Sequence, residues 1–303
     1  VNSVPVVAIT GTNGKTTLTT MVAQALEKAG FKVCAAGNIG LPVLDLCERD
    51  DLDYIVLELS SFQLETTYSL YASVGVLLNC APDHLDRHQT YEKYLAAKLK
   101  VLQNCRYAVI NPNLVMPLSC IERPHFSFSV NGSLADFNLL EGEQFDEVWF
   151  RNQCIANTQQ WKLKGVHHYQ NALALLAIVK ALGIPFASAL EVLKTFSGID
   201  HRCQKVCEAE GVSWYNDSKA TNESATTAAI DTLSGQCDGR LIVLLGGESK
   251  GATFDQLADR VSGRVARVIV FGEAAPILVE KLKSVVPVSL VSDLAEAVII
   301  AKE

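Results

Sequence analysis

Residues 11 to 16 read Gly11-Thr12-Asn13-Gly14-Lys15-Thr16, and each residue type in that run has a use against a phosphate. Two glycines let the backbone approach closely, a lysine supplies a mobile cation, and a threonine hydroxyl offers a ligand to a hard metal ion. The common Gly-x-x-x-x-Gly-Lys-Ser/Thr loop would need glycine at position 9, where the chain has Ile9. The loop is one of a shorter kind. Gly11, Thr12, Asn13, Gly14, Lys15, Thr16 and Thr17 are therefore the candidate nucleotide-binding residues, with Thr16 also a candidate metal ligand. Glu58 closes the apolar run Tyr54-Ile55-Val56-Leu57 and so falls at the carboxyl end of a strand. Magnesium on a phosphate takes one or two carboxylates, which makes Glu58 a candidate ligand. A solvated acid is the alternative.

The elements that must place these residues follow from the hydrophobic pattern. Val4 to Thr10 reads as a strand, and the segment from Gly14 to Ala29 as a helix with Leu18, Met21, Val22, Ala25, Leu26 and Ala29 on one face. The loop thus sits at a helix N-terminus, where unpaired amides and the helix dipole favour an anion. Further strands are expected at 54–59, 74–78 and 107–110, with a helix over 90–104, and this alternation predicts a mostly parallel sheet with helices on both faces. Residues 124–162, with "HFSFSV" and "VWFRNQCI", predict a small antiparallel side sheet. Helices at 167–182 and 186–196 flank Gly183-Ile184-Pro185, and a fresh α/β alternation begins near Gly198, with strands near 203–208, 212–216, 241–245 and 267–271. The expected division is a central P-loop domain over 1–198 and a second, Rossmann-like α/β domain over 199–303.

Lys98 stands on the stripe Tyr91, Tyr94, Leu95, Leu102 of the 90–104 helix. An ammonium on an apolar face either snorkels to the rim or is held neutral by burial, where its amine becomes nucleophilic. His84 lies in a charged loop with Asp83, Asp86, Arg87 and His88, where a surface role and a site role are both open.

A chain of 303 residues with 49% hydrophobic and 19% charged residues can bury two cores. Its formal charge of −7 would repel a phosphodiester backbone, which argues against nucleic acid as a partner. The nine cysteines form no Cys-x-x-Cys pair and read as reduced core thiols of a cytoplasmic protein. The longest greasy stretch, Ala172 to Leu182, carries Lys180 and is too short for a bilayer, so no membrane partner is expected.

Several stretches occur together and in order: "GTNGKT" at 11–16, "GNIG" at 37–40, "ELSSFQLE" at 58–65, "DHLDRH" at 83–88, "AAKLKVL" at 96–102, "NAL" at 171–173, "DHR" at 200–202, "NDSKATN" at 216–222 and "LLGGESKG" at 244–251. The chain resembles the Mur ligases, which build the peptide of bacterial cell-wall precursors, over nearly its whole length. Phe62-Gln63-Leu64-Glu65 is similar to the branch that adds D-glutamate to UDP-N-acetylmuramoyl-L-alanine. The resemblance implies an ATP-dependent amide-forming ligase, working through an acyl phosphate, cytoplasmic and monomeric. It implies two Mg²⁺ ions, with Thr16 and Glu58 as ligands of one, and His84 and a carbamylated Lys98 supporting the second. It further implies Asn171, Arg202 and Asp217 at ATP, and Asn38, Ser60, Lys219, Thr221 and Lys250 at the other substrates. Lys15, Glu58, His84, Lys98 and Arg202 would form the catalytic set. Two departures stand out: His168, where relatives carry asparagine, and Gln204, where many carry glutamate.

Family members have a uridine-binding domain before the phosphate-loop strand and a final segment that helps hold D-glutamate. Neither is recognisable here, so the sequence reads as an excised piece that binds ATP but does not complete the reaction. A sister ligase such as a folylpolyglutamate synthase, or a nucleotide-binding module without ligase activity, are the alternatives.

Overall fold

A computed structural model of the chain describes residues 4–46, 49–114, 123–131, 135–235, 240–249 and 252–302. It divides into two compact units, one made of residues 1–82 and 90–198 and the other of residues 83–89 and 199–303.

The first unit is built on strands β1 (Val6–Thr10), β2 (Val33–Gly37), β3 (Tyr54–Glu58), β4 (Ala72–Leu77), β5 (Cys105–Ile110), β6 (His125–Ser129), β7 (Phe137–Leu140), β8 (Glu147–Phe150) and β9 (Gln153–Asn157). They form one nine-stranded sheet in the order β2-β3-β1-β4-β5-β6-β7-β8-β9. The sequence led us to expect 124–162 as a side sheet of antiparallel pieces. There β7, β8 and β9 pair antiparallel as expected, while β6 pairs in parallel with β5 and with β7 and so joins them to the edge of the central sheet. Phe126, Phe137 and Phe150 carry this junction, and Phe137 meets Phe150 at a ring separation of 4.7 Å. Packing of inward aromatics, which alternation alone does not reveal, joins the pieces into one layer.

Helix α1 (Lys15–Lys28) packs with α5 (Val166–Ala181) and α6 (Phe186–Thr195) over one face. On the other face α2 (Ser61–Glu65) and α4 (Tyr91–Gln103) pack together, over a core that includes Ala8, Ile55, Leu57, Leu64, Val101 and Leu102. Helix α5 is buried without a break from Asn171 to Val179, as a helix apolar all round must be. Among the described residues no helix is long and apolar enough to cross a membrane.

The second unit contains the short helix α3 (Leu85–His88), the antiparallel hairpin of β10 (Gln204–Ala209) and β11 (Val212–Asn216), and a parallel sheet of β12 (Leu241–Leu245), β13 (Val265–Val270) and β14 (Val288–Leu290). Helices α7 (Glu223–Ser234), α8 (Leu257–Val261), α9 (Ala275–Leu282) and α10 (Leu294–Lys302) cover it, and Ile230, Leu257, Val268, Val270, Leu278 and Leu282 form its main core.

The cysteines correct the expectation of core thiols. Cys105 is buried, but Cys154 and Cys207 are exposed and Cys34, Cys80 and Cys203 lie between. Cys47, Cys120 and Cys237 fall outside the described residues. Cys154 and Cys207 lie on strands of the antiparallel pieces, whose outer faces meet solvent.

Gly75, in the middle of β4, lies directly against α4. A Cβ there would stand 2.2 Å from the Val101 carbonyl oxygen and 3.1 Å from Cys105 Sγ. Gly75→Ala is expected to destabilise the first unit by about 1–3 kcal/mol, the range for overpacking. Chemical denaturation checks this, and an unchanged midpoint would contradict it.

Candidate functional site

Strand β1 lies between β3 and β4, parallel to both, with Ile9 opposite Glu58 and Thr10 opposite Leu77. The ladder runs one residue further on each side, since Leu59 N donates to Ile9 O and Leu78 N donates to Thr10 O. The carboxyl ends of three adjacent strands therefore open together, the position at which parallel α/β sheets carry ligands. Gly11–Gly14 leaves from the central one.

Gly14 caps helix α1 in the left-handed region, at φ 79°. A Cβ at Gly14 would stand 2.8 Å from Asn171 Oδ1 and 2.9 Å from Leu78 Cδ2, so sterics as well as dihedral require glycine there. This places Asn171, buried in α5, directly against the loop. Lys15 Nζ donates to the carbonyls of Gly11 and Thr12, both at 2.9 Å. Thr12 Oγ1 accepts from Ala81 N at 3.0 Å and lies 3.0 Å from the Tyr94 hydroxyl. Thr17 is buried within the first turn of α1.

Lys98 is only 2% exposed. Its ammonium donates to Gly11 O at 2.8 Å and to Thr10 Oγ1 at 3.5 Å, and sits 4.7 Å from the centre of the Tyr94 ring. Of the two options open to a lysine on an apolar stripe, the fold takes burial beneath the phosphate loop. Snorkelling is excluded.

Glu58 is likewise 2% exposed. Its Oε1 accepts from Asn38 Nδ2 at 2.8 Å, and Asn38 N donates to Glu58 O at 2.8 Å. Gly37 makes this approach possible, because a Cβ there would lie 2.3 Å from Glu58 O. Glu58 Oε2 is buried without a hydrogen-bond partner among the described residues. Orphaned carboxylate oxygens are costly unless something else satisfies them, and a divalent cation fits that position. Among the described residues no group of three His, Cys, Asp or Glu side chains could hold a metal ion by itself. Ser60 caps α2: its Oγ accepts from Gln63 N at 3.2 Å, and Ser60 N donates to Gln63 Oε1 at 2.9 Å, closing a capping box. His168 lines a small cavity with Met21, Trp161 and Phe196.

The second unit holds the remaining residues. His84 caps α3 at φ 52° with Asp83 Oδ2 3.8 Å from its Nε2. Arg202 sits between two non-glycine residues in the left-handed region, His201 at φ 65° and Cys203 at φ 42°. That turn is held by Cys203 N donating to Asp217 Oδ1 at 3.0 Å, by Lys219 N donating to His201 O at 3.1 Å, and by His201 N donating to Gln204 Oε1 at 2.9 Å. Gln204 thus has a local structural use, bridging to Asp200 as well. The Arg202 Nε is buried without a hydrogen-bond partner among the described residues. Lys219 and Thr221 are exposed, and Lys250 lies outside the described residues. Sequence reasoning missed Asn79 and Tyr94 as residues of the loop's surroundings. Tyr94 stands on the same helical stripe as Lys98, which was the available signal, whereas Asn79 stands in no pattern that spacing alone singles out.

The family description "Mur ligase middle domain" matches residues 9–179, and "Mur ligase, glutamate ligase domain" matches residues 201–303. The chain belongs to the Mur ligase family. It is 43% identical over 311 residues to the UDP-N-acetylmuramoylalanine--D-glutamate ligase of Legionella pneumophila (strain Paris), covering 99% of this chain and 68% of the relative. It is 47% identical over 276 residues to the enzyme of the same name from Yersinia pestis bv. Antiqua (strain Antiqua), covering 89% of this chain and 61% of the relative. The chain thus spans about two thirds of the length of these relatives. Among solved structures, MurF from Acinetobacter baumannii superposes with a TM-score of 0.82 at 20% identity, over 99% of this chain and 70% of that one. MurF from Thermotoga maritima, solved in complex with ADP, gives 0.76 at 20% identity, over 99% and 73%. Mur ligases are ATP-dependent amide-forming enzymes, and this chain carries their fold.

Burial, with the adjacent Asp217 charge second, pushes the Cys203 thiol up to about 12. Burial also raises Asp217 above the ordinary aspartate range. A carboxyl raised on folding binds its proton more tightly in the native state, so its contribution to stability is greatest below the unfolded value and is lost as pH rises through the folded one. Asp217→Asn keeps an acceptor for Cys203 N and is expected to raise Tm at neutral pH, the gain vanishing as pH falls below about 4. A Tm difference independent of pH would contradict the assignment.

Proposed function

We propose that the chain forms the nucleotide- and amino-acid-handling part of a ligase that joins D-glutamate to UDP-N-acetylmuramoyl-L-alanine with ATP. The observation that carries the reading is the convergence of Lys15, Lys98, Asn171 and the Gly11–Thr16 loop at the mouth of three parallel strands. The 43–47% identity to ligases of that name supports this branch over its sisters.

In this reading the loop amides and Lys15 orient the ATP phosphates, which turns transfer into a pre-positioned step. The substrate carboxylate attacks the γ-phosphorus and ADP leaves, giving an acyl phosphate. The amine of D-glutamate then adds to the acyl carbon, loses a proton, and the tetrahedral adduct collapses with release of phosphate. Arg202 stabilises charge on the transferring phosphoryl group, Asp217 binds the nucleoside, and Asn38, Ser60, Lys219, Thr221 and Lys250 serve the two other substrates. Asn38 also holds Glu58, and Thr16 and Glu58 would bind one Mg²⁺. Bound there, magnesium supplies Lewis-acid polarisation and charge neutralisation. His84 and a carbamate on Lys98 are assigned to a second ion. Carbamylation joins the neutral Lys98 amine to CO₂ with loss of a proton and turns a buried cation into an anion. We further propose that the protein acts in the cytoplasm as a monomer.

A chimaera in which the Legionella relative supplies the part of its length that this chain does not span tests the assignment. It is expected to incorporate labelled D-glutamate into UDP-N-acetylmuramoyl-L-alanine in an ATP-dependent manner. Incorporation of a different amino acid, or glutamylation of a folate instead, would overturn the reading. In the same chimaera Lys98→Ala is expected to lose at least about a hundredfold in rate and to recover partly with added acetate, which can fill the vacated anionic position. Normal folding with no recovery would count against the carbamate.

On the 303-residue chain itself, Lys15→Ala is expected to weaken binding of a non-hydrolysable ATP analogue more than Glu58→Gln does. Lys15 meets phosphate directly, whereas Glu58 acts through the metal, which matters more in the transition state. Calorimetric titration checks the order, and equal affinity of wild type and Lys15→Ala would refute it.

A further inference from the structure

The segment that follows β4 is bound to the phosphate loop more closely than the sheet requires. Asn79 stands two residues beyond the last residue of β4, and both its backbone and its side chain are used. Its main-chain oxygen accepts from Thr12 N at 3.1 Å. Its side-chain Oδ1 accepts from Thr12 N at 3.0 Å and from Asn13 N at 2.8 Å. Its Nδ2 donates to Asn13 O at 2.9 Å. Ala81 continues the contact, since its N–H donates to Thr12 Oγ1 at 3.0 Å.

From this geometry we infer that Asn79 is a positioning residue that fixes the phosphate loop in its binding shape before nucleotide arrives. The inference rests on the reading of Gly11–Thr16 as the nucleotide seat. An amide is the only side chain of this length that can accept two N–H groups through one atom and donate through the other. Aspartate would keep the acceptor, lose the donor and set a negative charge against both Asn13 O and an incoming phosphate. Glutamine would be one methylene too long for the same three bonds.

Two consequences follow. The Thr12 and Asn13 amides are directed at Asn79, so the start of the loop serves as a brace and the grip on an anion falls to the end nearer α1, with Lys15. A loop with glycines at both 11 and 14 would otherwise sample many conformations, and ordering them on binding would subtract from affinity. Asn79 removes that loss in advance. It is expected to touch no substrate atom, which distinguishes it from the residues of the nucleotide site.

Titration of the 303-residue chain with Mg·ADP tests the inference. Asn79→Ala is expected to weaken binding at least about tenfold, with hydrogen exchange of the Thr12 and Asn13 amides accelerated. Asn79→Asp, nearly isosteric and so a check should the alanine variant fold poorly, is expected to bind weakly at neutral pH. Its deficit relative to wild type should shrink as pH is lowered into the carboxyl range, where a protonated acid again both accepts and donates. A merely structural residue would show no such pH-dependent recovery. Wild-type binding with both variants within about twofold of it would overturn the inference alone. Failure of the wild type to bind Mg·ADP would overturn the nucleotide reading, and with it the role given to Asn79.

Discussion

Two ammonium groups meet on one carbonyl. Gly11 O accepts from Lys15 Nζ at 2.9 Å on the helix side of the loop and from Lys98 Nζ at 2.8 Å from beneath. A carbonyl oxygen has two lone pairs and can take both, so one backbone atom ties the helix side of the loop to α4 beneath it. Lys98, with 2% of its surface exposed, is held beneath the loop by α4 and by the sheet.

Much of the rest of the first unit can be understood as support for that carbonyl. Strand β1 is central because its carboxyl end must hold the loop between Glu58 of β3 and Asn79 beyond β4. Gly75 is glycine so that α4, which delivers Lys98 and Tyr94, can lie close to β4. Gly37 is glycine so that Asn38 can reach the Glu58 carboxylate. Gly14 is glycine because α1 starts from a left-handed residue wedged against Asn171. In the second unit a comparable device holds Arg202, whose flanking residues are both in strained conformations tied down by Asp217 and Gln204. Strain of this kind persists only where surrounding bonds over-determine it.

The loop, the helix behind it and the inward lysine were legible in the sequence because each depends on local spacing. A strand that ends in Gly-Thr-Asn-Gly-Lys-Thr can place that loop at only one kind of position, and a lysine on an apolar stripe has few options. Strand β2 was not legible. Val33-Cys34-Ala35-Ala36-Gly37 has one β-branched residue, and small side chains carry weak strand preference. Its place is set by pairing with β3 at the sheet edge. The union of the side strands with the central sheet was hidden for a similar reason, because phenylalanine contacts between distant segments decide it. Asn79 was invisible because a polar residue after a strand is ordinary, and only the loop's position some sixty-odd residues earlier in sequence, with separations of 66 and 67 residues, gives it meaning.

A crystal structure of the chain with Mg·ADP tests most directly whether the loop held on that carbonyl is the nucleotide seat. The account predicts a β-phosphate over Gly14–Thr16, with Lys15 Nζ moved from the Gly11 and Thr12 carbonyls onto phosphate oxygen and Asn79 still holding Thr12 and Asn13. Nucleotide bound elsewhere, or Lys15 left on the two carbonyls with the phosphates in place, would contradict it.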